Sequence, residues 1–165
     1  NSNAMEALGN GATDGLKLAA NVAAMLIAFI SIVAMFNYFL SFAGTSLESI
    51  LGTIFKPLAW SMGVPWNEAE SMGLLMGKKI VFTELIAYGD LKSLIGTGAI
   101  SDRTAIIASY ALCGFANFGS IGIQLGGIGG MAPERKKDLA KLVTKAMVGG
   151  ALASWLTATV AGILI

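Results

Sequence analysis

Tyr110-Ala-Leu-Cys-Gly-Phe-Ala-Asn-Phe-Gly-Ser-Ile-Gly-Ile-Gln124, running on into Gly126-Gly127-Ile128-Gly129-Gly130, is the stretch that decides how this chain folds. From Thr104 to Gly130 there is no charged residue, and the run is longer than the about 20 residues a helix needs to cross a bilayer. Its middle does not suit a plain lipid-facing helix. Gly114, Asn117, Gly119, Ser120 and Gly122 combine weak helix formers with side chains that need hydrogen-bond partners. Backbone freed from helical geometry at membrane depth must be buried in protein or line a watery cavity. Transporters use such interruptions to aim dipoles and polar groups at a solute near the midplane. The competing reading is a Gly-rich packing face on which Asn117 and Ser120 bond a neighbouring helix. Spacing alone leaves both open.

Composition supports a lipid environment for the rest. The 165 residues are 55% hydrophobic and 13% charged, with mean hydropathy +0.73. Soluble domains carry about 25% charged residues. A net charge of +1 and the lack of a basic stripe with interleaved aromatics argue against a nucleic-acid partner. There is no His, and Cys113 is the single cysteine. A Cys/His metal site, an internal disulfide and the usual nucleophile–base pairs are therefore excluded, so no enzyme activity is expected. Within its apolar run, Cys113 reads as a buried, inert thiol.

Outward from the broken stretch, residues 1–15 form a polar, Gly-rich entry segment without the features of a signal peptide. Ser2-Asn3-Ala4 ahead of Met5 reads either as a cloning scar or as native sequence. Residues 16–45 are a transmembrane helix, uncharged from Leu18 to Leu47, with Thr13 and Asp14 suited to its start. Residues 46–63 place Leu47, Ile50, Leu51, Ile54, Phe55, Leu58 and Ala59 on one stripe, which predicts an amphipathic helix lying in the membrane interface. Residues 64–98 read as two half-length helices meeting at Thr83-Glu84, a re-entrant hairpin, with Asn67 as N-cap of the first. Lys78 and Lys79 on that arm have stems long enough to carry their charge to an interface or cavity. Ser101 caps the broken helix of residues 101–131. Residues 132–145 form a basic loop carrying Arg135, Lys136, Lys137, Lys141 and Lys145, which the positive-inside rule places in the cytoplasm. Residues 146–165 are the final span.

Glu84 stands out within this pattern. An ionisable group at membrane depth costs at least about 2.5–3.5 kcal/mol and is a functional candidate by default, against the alternative of a surface glutamate on a loop.

Three stretches together resemble the C-terminal half of the concentrative nucleoside transporters. Family members look like Asn-Glu-Phe-Val-Ala-Tyr at a hairpin tip, where this chain has Thr83-Glu-Leu-Ile-Ala-Tyr88. They look like Ser-Tyr-Ala-Leu-Cys-Gly-Phe-Ala-Asn-Phe-Ser-Ser-Ile-Gly in a broken helix, and Ser109–Gly122 matches except at Gly119. A Gly-rich exit and a Pro-Glu-Arg loop match Gly126–Arg135, and Asn3–Gly15 is similar to the family's entry to this half, which favours a native start.

The resemblance implies an all-α membrane protein with an interfacial helix, a re-entrant hairpin and a broken helix, one of two inverted repeats. It implies that Glu84, Asn117 and Ser120 hold the ribose hydroxyls of a nucleoside and that Phe115 packs near the ligand. A carboxylate can accept from two adjacent hydroxyls, while an amide and a hydroxyl both donate and accept. Thr83 and Gly119 depart from the family pattern, which puts contacts from those side chains in doubt. The family's Gly-Gln-Ser/Thr-Glu-Ala-Pro motif is absent. The resemblance therefore implies that a missing N-terminal half supplies base recognition and most of the site for a coupling cation, Na⁺ or H⁺. It further implies no other cofactor, a homotrimer, and a multi-pass location in the plasma membrane, or the inner membrane of a bacterium. The alternative is a non-transporting membrane fragment whose Gly-rich helix is a packing interface and whose Glu84 pairs with a lysine.

Overall fold

An asparagine starts the fold. In the computed structural model, which describes residues 3–165, the Asn3 side chain accepts from the Glu6 N–H at 2.8 Å and opens helix α1, Ala4–Ser41. Asn1 and Ser2, and with them part of the Ser2–Ala4 stretch, lie outside the described residues. The helix expected to begin near Thr13-Asp14 begins earlier and passes straight through that point. Gly9, Gly11 and Gly15 lower helix propensity but do not end a helix whose backbone bonds have no better partners. At 38 residues α1 is about 57 Å long, well beyond the about 30 Å of a hydrocarbon core.

A tight corner at residues 42–46 leads into α2 (Leu47–Ser61), followed by α3 (Ala69–Val81), α4 (Glu84–Gly96), α5 (Asp102–Leu112) and α6 (Phe118–Met131). A 3₁₀ turn at Pro133–Arg135 then runs into α7, Lys136–Leu164. Helices and turns are the only elements among the described residues. Two of them are long and apolar enough to cross a bilayer: α1, with mean hydropathy 2.4 over its most apolar window, and the final helix, with 1.6. The basic stretch expected as a loop is helical from Lys136 onward, because Pro133 needs no N–H partner at a helix start and leads directly into α7.

Asn37, an interruption in an otherwise apolar run, fixes the α1–α2 corner. Its Oδ1 accepts from the Leu47 N–H at 2.9 Å and its Nδ2 donates to Glu48 at 3.0 Å. From that corner α2 lies along α3 at backbone distance. A Cβ on Gly73 would stand 2.3 Å from the Gly52 carbonyl oxygen, and one on Gly77 2.5 Å from the Glu48 carbonyl oxygen. Gly73-Leu-Leu-Met-Gly77 is a small-xxx-small pattern of the kind that brings membrane helices together. The amphipathic stripe of α2 is split accordingly. Leu51, Phe55, Leu58 and Ala59 pack inward, while Ile50, Ile54 and Trp60 are exposed.

The hairpin arms are α3 and α4, meeting at Phe82-Thr83. Asn67 does not cap α3: the Glu68 N–H closes a turn onto the Pro65 carbonyl, and that turn carries residues 66–68 into the helix. The Glu68 carboxylate instead reaches Ser101, accepting from its N–H at 3.1 Å and its hydroxyl at 2.9 Å. Ser101 caps α5 as expected. The core lies where α3, α5 and α7 meet, around Met72, Met76, Ile107, Leu112 and Ala158, all wholly buried.

Candidate functional site

The ends of two helices and a hairpin tip converge at the break between α5 and α6. The helix ends at Leu112. Gly114 then takes φ +131°, a backbone conformation that side-chain-bearing residues rarely adopt, and α6 starts at Phe118. The interruption read from the sequence is thus a true break.

Asn117 and Ser120 restart the helix as a reciprocal pair. Asn117 Oδ1 accepts from the Ser120 N–H at 2.7 Å, and Ser120 Oγ accepts from the Asn117 N–H at 3.2 Å while donating to the Asn117 carbonyl at 2.6 Å. This capping box satisfies backbone groups that have no intrahelical partner, and both side chains are fully buried. Asn117 Nδ2 then donates across to Glu84 Oε2 at 3.1 Å. Three of the four residues singled out from the sequence therefore meet: Glu84, Asn117 and Ser120. Glu84 is half-buried, and its partner is the Asn117 amide rather than a lysine.

Phe115, the fourth, lies on the break itself and is 53% exposed, with Cys113 and Gly114 beside it. Cys113 is exposed, not buried, because the chain leaves helical geometry there. Thr83 caps α4 with a long 3.5 Å bond from the Ile86 N–H.

The glycines of α6 also do what the competing reading expects, but on another face. Added Cβ atoms at Gly119, Gly122 and Gly126 would meet Leu26, Phe29 and Met25 of α1 within 3.1, 2.8 and 3.4 Å respectively. The glycine stripe seats α1 while Asn117 turns toward the hairpin, so packing and polar functions share one helix.

The end of α5 is held from the hairpin as well. Lys79, in the last turn of α3, is fully buried. Its Nζ donates to the Ala111 carbonyl at 3.0 Å and to Ser154 Oγ on α7 at 2.8 Å. Tyr88, on α4, donates its hydroxyl to the Ser109 carbonyl at 2.7 Å. Sequence reading sent Lys79 to an interface or cavity, but its charge stays inside, because the Ala111 carbonyl freed at the break and the Ser154 hydroxyl give the ammonium acceptors that water would otherwise supply. Lys78, its neighbour, does reach a surface partner, pairing with Asp90.

The hairpin therefore bridges the break with matched charge. A cation faces the negative C-terminal pole of α5, and a carboxylate faces the positive N-terminal pole of α6. Chemically, this leaves a carboxylate and an amide fixed together beside an exposed aromatic ring.

Residues 1–162 match the family model described as "Na+ dependent nucleoside transporter C-terminus". Similar proteins include the uncharacterized transporter YutK of Bacillus subtilis, 47% identical over 99% of this chain and 42% of its own length. Another is the nucleoside permease NupC of Helicobacter pylori, 40% identical over 99% of this chain and 41% of its own. The chain thus spans about two fifths of the length of these curated relatives. Among solved structures, a doubly substituted CNTnw in an outward-facing state superposes with a TM-score of 0.91 at 41% identity, over 99% of this chain and 43% of that one. CNTnw in its inward-facing, substrate-bound state gives 0.73 at 43% identity, over 98% and 40%. The all-α membrane architecture, with its paired half-helices and interrupted span, is shared with those structures, and the chain belongs to the C-terminal domain family of the Na⁺ dependent nucleoside transporters.

Proposed function

We propose that this chain is the C-terminal part of a cation-coupled nucleoside symporter and carries the sugar end of its solute site. The reading rests on the Glu84–Asn117 bond across the break, which places a carboxylate and an amide at the meeting point of two half-helix ends. Oε2 is engaged by Asn117, so the lone pairs of Oε1 accept from two adjacent ribose hydroxyls, with the second Nδ2 proton of Asn117 donating beside them. Ser120 holds Asn117 in place and has one lone pair left for a sugar hydroxyl. Both residues are fully buried in this structure, so the solute meets them only when the hairpin tip moves off the break. Phe115, exposed next to them, packs against the solute. A missing N-terminal half provides base recognition and most of the coupling-ion site. The family description supports Na⁺ as that ion, and replacing Na⁺ at constant pH separates it from H⁺. The assembled protein is a multi-pass homotrimer of the plasma membrane, or of the inner membrane in a bacterium.

Uridine uptake by the full-length transporter carrying Glu84→Gln tests this. A hydrogen bond to a charged acceptor exceeds a neutral one by about 1 kcal/mol, so two sugar bonds predict a KM raised about 30-fold with trimer assembly retained. Analogues lacking the sugar hydroxyls should compete poorly against wild type and lose little more in the variant. An unchanged KM removes Glu84 from the site.

A further inference from the structure

Lys79 is the one fully buried ionisable side chain among the described residues, and the solute contacts proposed above do not use it. Burying an ammonium is costly unless its hydrogens are bonded and its charge is met. Two of its three N–H groups are bonded here, one to a carbonyl that the helix break leaves free and one to the Ser154 hydroxyl of α7, and its charge faces the negative end of α5.

The last four carbonyls of a helix lack intrahelical donors. At the end of α5 the Ser109 carbonyl takes the Tyr88 hydroxyl, the Tyr110 carbonyl takes the Cys113 N–H, and the Ala111 carbonyl takes Lys79 Nζ. Lys79 alone brings a full charge to that pole. Its second acceptor is prepared for it: Ser154 donates its own proton to the Ala151 carbonyl at 2.9 Å, which leaves an oxygen lone pair facing Nζ. Gly114, where the chain turns, passes so close that a Cβ there would stand 3.8 Å from Nζ and 3.5 Å from Ser154 Cβ. The ammonium thus sits at the corner of the break, tied to α7, on the same hairpin arm that leads to Glu84.

We propose that Lys79 is a positioning residue: a tethered cation that holds the C-terminal end of the broken helix and thereby sets the separation of Glu84 and Asn117. This rests on the solute site proposed above. Backbone carbonyls at a helix break, joined by a hydroxyl, form the kind of oxygen cluster that elsewhere in transporters coordinates a mobile cation. Here the protein supplies the charge from its own side chain. The consequence is an effect on solute affinity from a residue that does not touch the solute.

The test uses the full-length transporter with Lys79→Met, Lys79→Arg and Ser154→Ala. The readouts are uridine KM, maximal uptake and the thermal midpoint of the purified protein. Lys79→Met should raise KM at least tenfold, Ser154→Ala severalfold, and Lys79→Arg less than Lys79→Met because the charge is kept. Adding Lys79→Met to Glu84→Gln should change KM no more than twofold beyond Glu84→Gln alone, since both act through the same pair. A lowered midpoint and maximal uptake with wild-type KM in Lys79→Met would make Lys79 a structural plug and overturn the proposal. Should Lys79→Met not reach the membrane, Ser154→Ala decides: a raised KM at an unchanged midpoint supports the proposal, and a wild-type KM overturns it. Loss of the Glu84→Gln effect on KM in the same series would instead sink the solute site, and this inference with it.

Discussion

Replacing Gly73 by alanine is the smallest change that should be felt across this fold. The added Cβ would lie 2.3 Å from the Gly52 carbonyl oxygen, against 3.4 Å for an ordinary contact, so α2 and α3 must part by about 1 Å. Neither side can yield by a rotamer change, because both atoms belong to or adjoin helical backbone. A gap of that size forfeits up to about half of the dispersion attraction along the seam. Overpacking of this kind costs about 1–3 kcal/mol, and the rigid neighbours put Gly73 at the upper end. Alanine returns about 0.8–1.0 kcal/mol of helix propensity, which leaves a net loss of about 2 kcal/mol. Gly89→Ala on α4 is the internal control, since nothing lies within 4 Å of its added carbon. That variant should be neutral or slightly more stable. The thermal midpoint of the full-length protein in detergent, measured for both variants, checks the difference. Uptake should fall with Gly73→Ala as well, because α3 also carries Lys79, and a 1 Å shift breaks its 3.0 Å bond to Ala111. If Gly73→Ala proves as mild as Gly89→Ala, the close backbone seam does not hold the hairpin and the reasoning fails.

The other expectations concern the ends of the hairpin scaffold. Asn37→Ala removes two bonds at the α1–α2 corner, one of them to a carboxylate, and should cost about 1–3 kcal/mol by the same thermal measurement. Asn37→Asp should be worse, since it sets a second carboxylate against Glu48. Thr104, together with the backbone N–H and hydroxyl of Ser101, holds the Glu68 carboxyl below the ordinary carboxylate range, outweighing the upward push of its partial burial. A depressed folded pKa gives stability that is present above the ordinary carboxylate pKa and is lost as pH falls through the folded value. Acid should therefore loosen the tie between the starts of α3 and α5, and Glu68→Gln should flatten the acid limb of the thermal-midpoint profile. An unaltered limb would remove Glu68 from that role.

Much of this architecture could be read from the chain because it follows from local chemistry. Uncharged runs longer than a bilayer is thick, a stripe at helical spacing in 46–63, and Gly114 with Asn117 inside an apolar stretch each carry their meaning in one segment. The capping of α5 by Ser101 is of the same kind, as is the division of the hairpin into two arms, which meet at Phe82-Thr83, one residue before the expected Thr83-Glu84. Where local signals misled, a distant partner or a missing competitor was the cause. Thr13 and Asp14 suit a helix start, but Asn3 had already supplied the cap and nothing offered the intervening backbone another bond. Asn67 was displaced as a cap by a turn closed onto Pro65. Gly73 and Gly77 carry a spacing that was legible, yet it acquired a meaning only once Gly52 and Glu48 were set against it.

Sequence alone determined that polar groups sit at membrane depth, where a helix must break, and which residue types gather there, because desolvation and backbone hydrogen bonding act wherever the chain goes. Only the tertiary structure decided which of those groups hold one another. Lys79 and Ser154 are 75 positions apart, and Glu84 and Asn117 are 33 apart. Their pairing follows from the charge left at two helix ends that the fold brings to one hairpin.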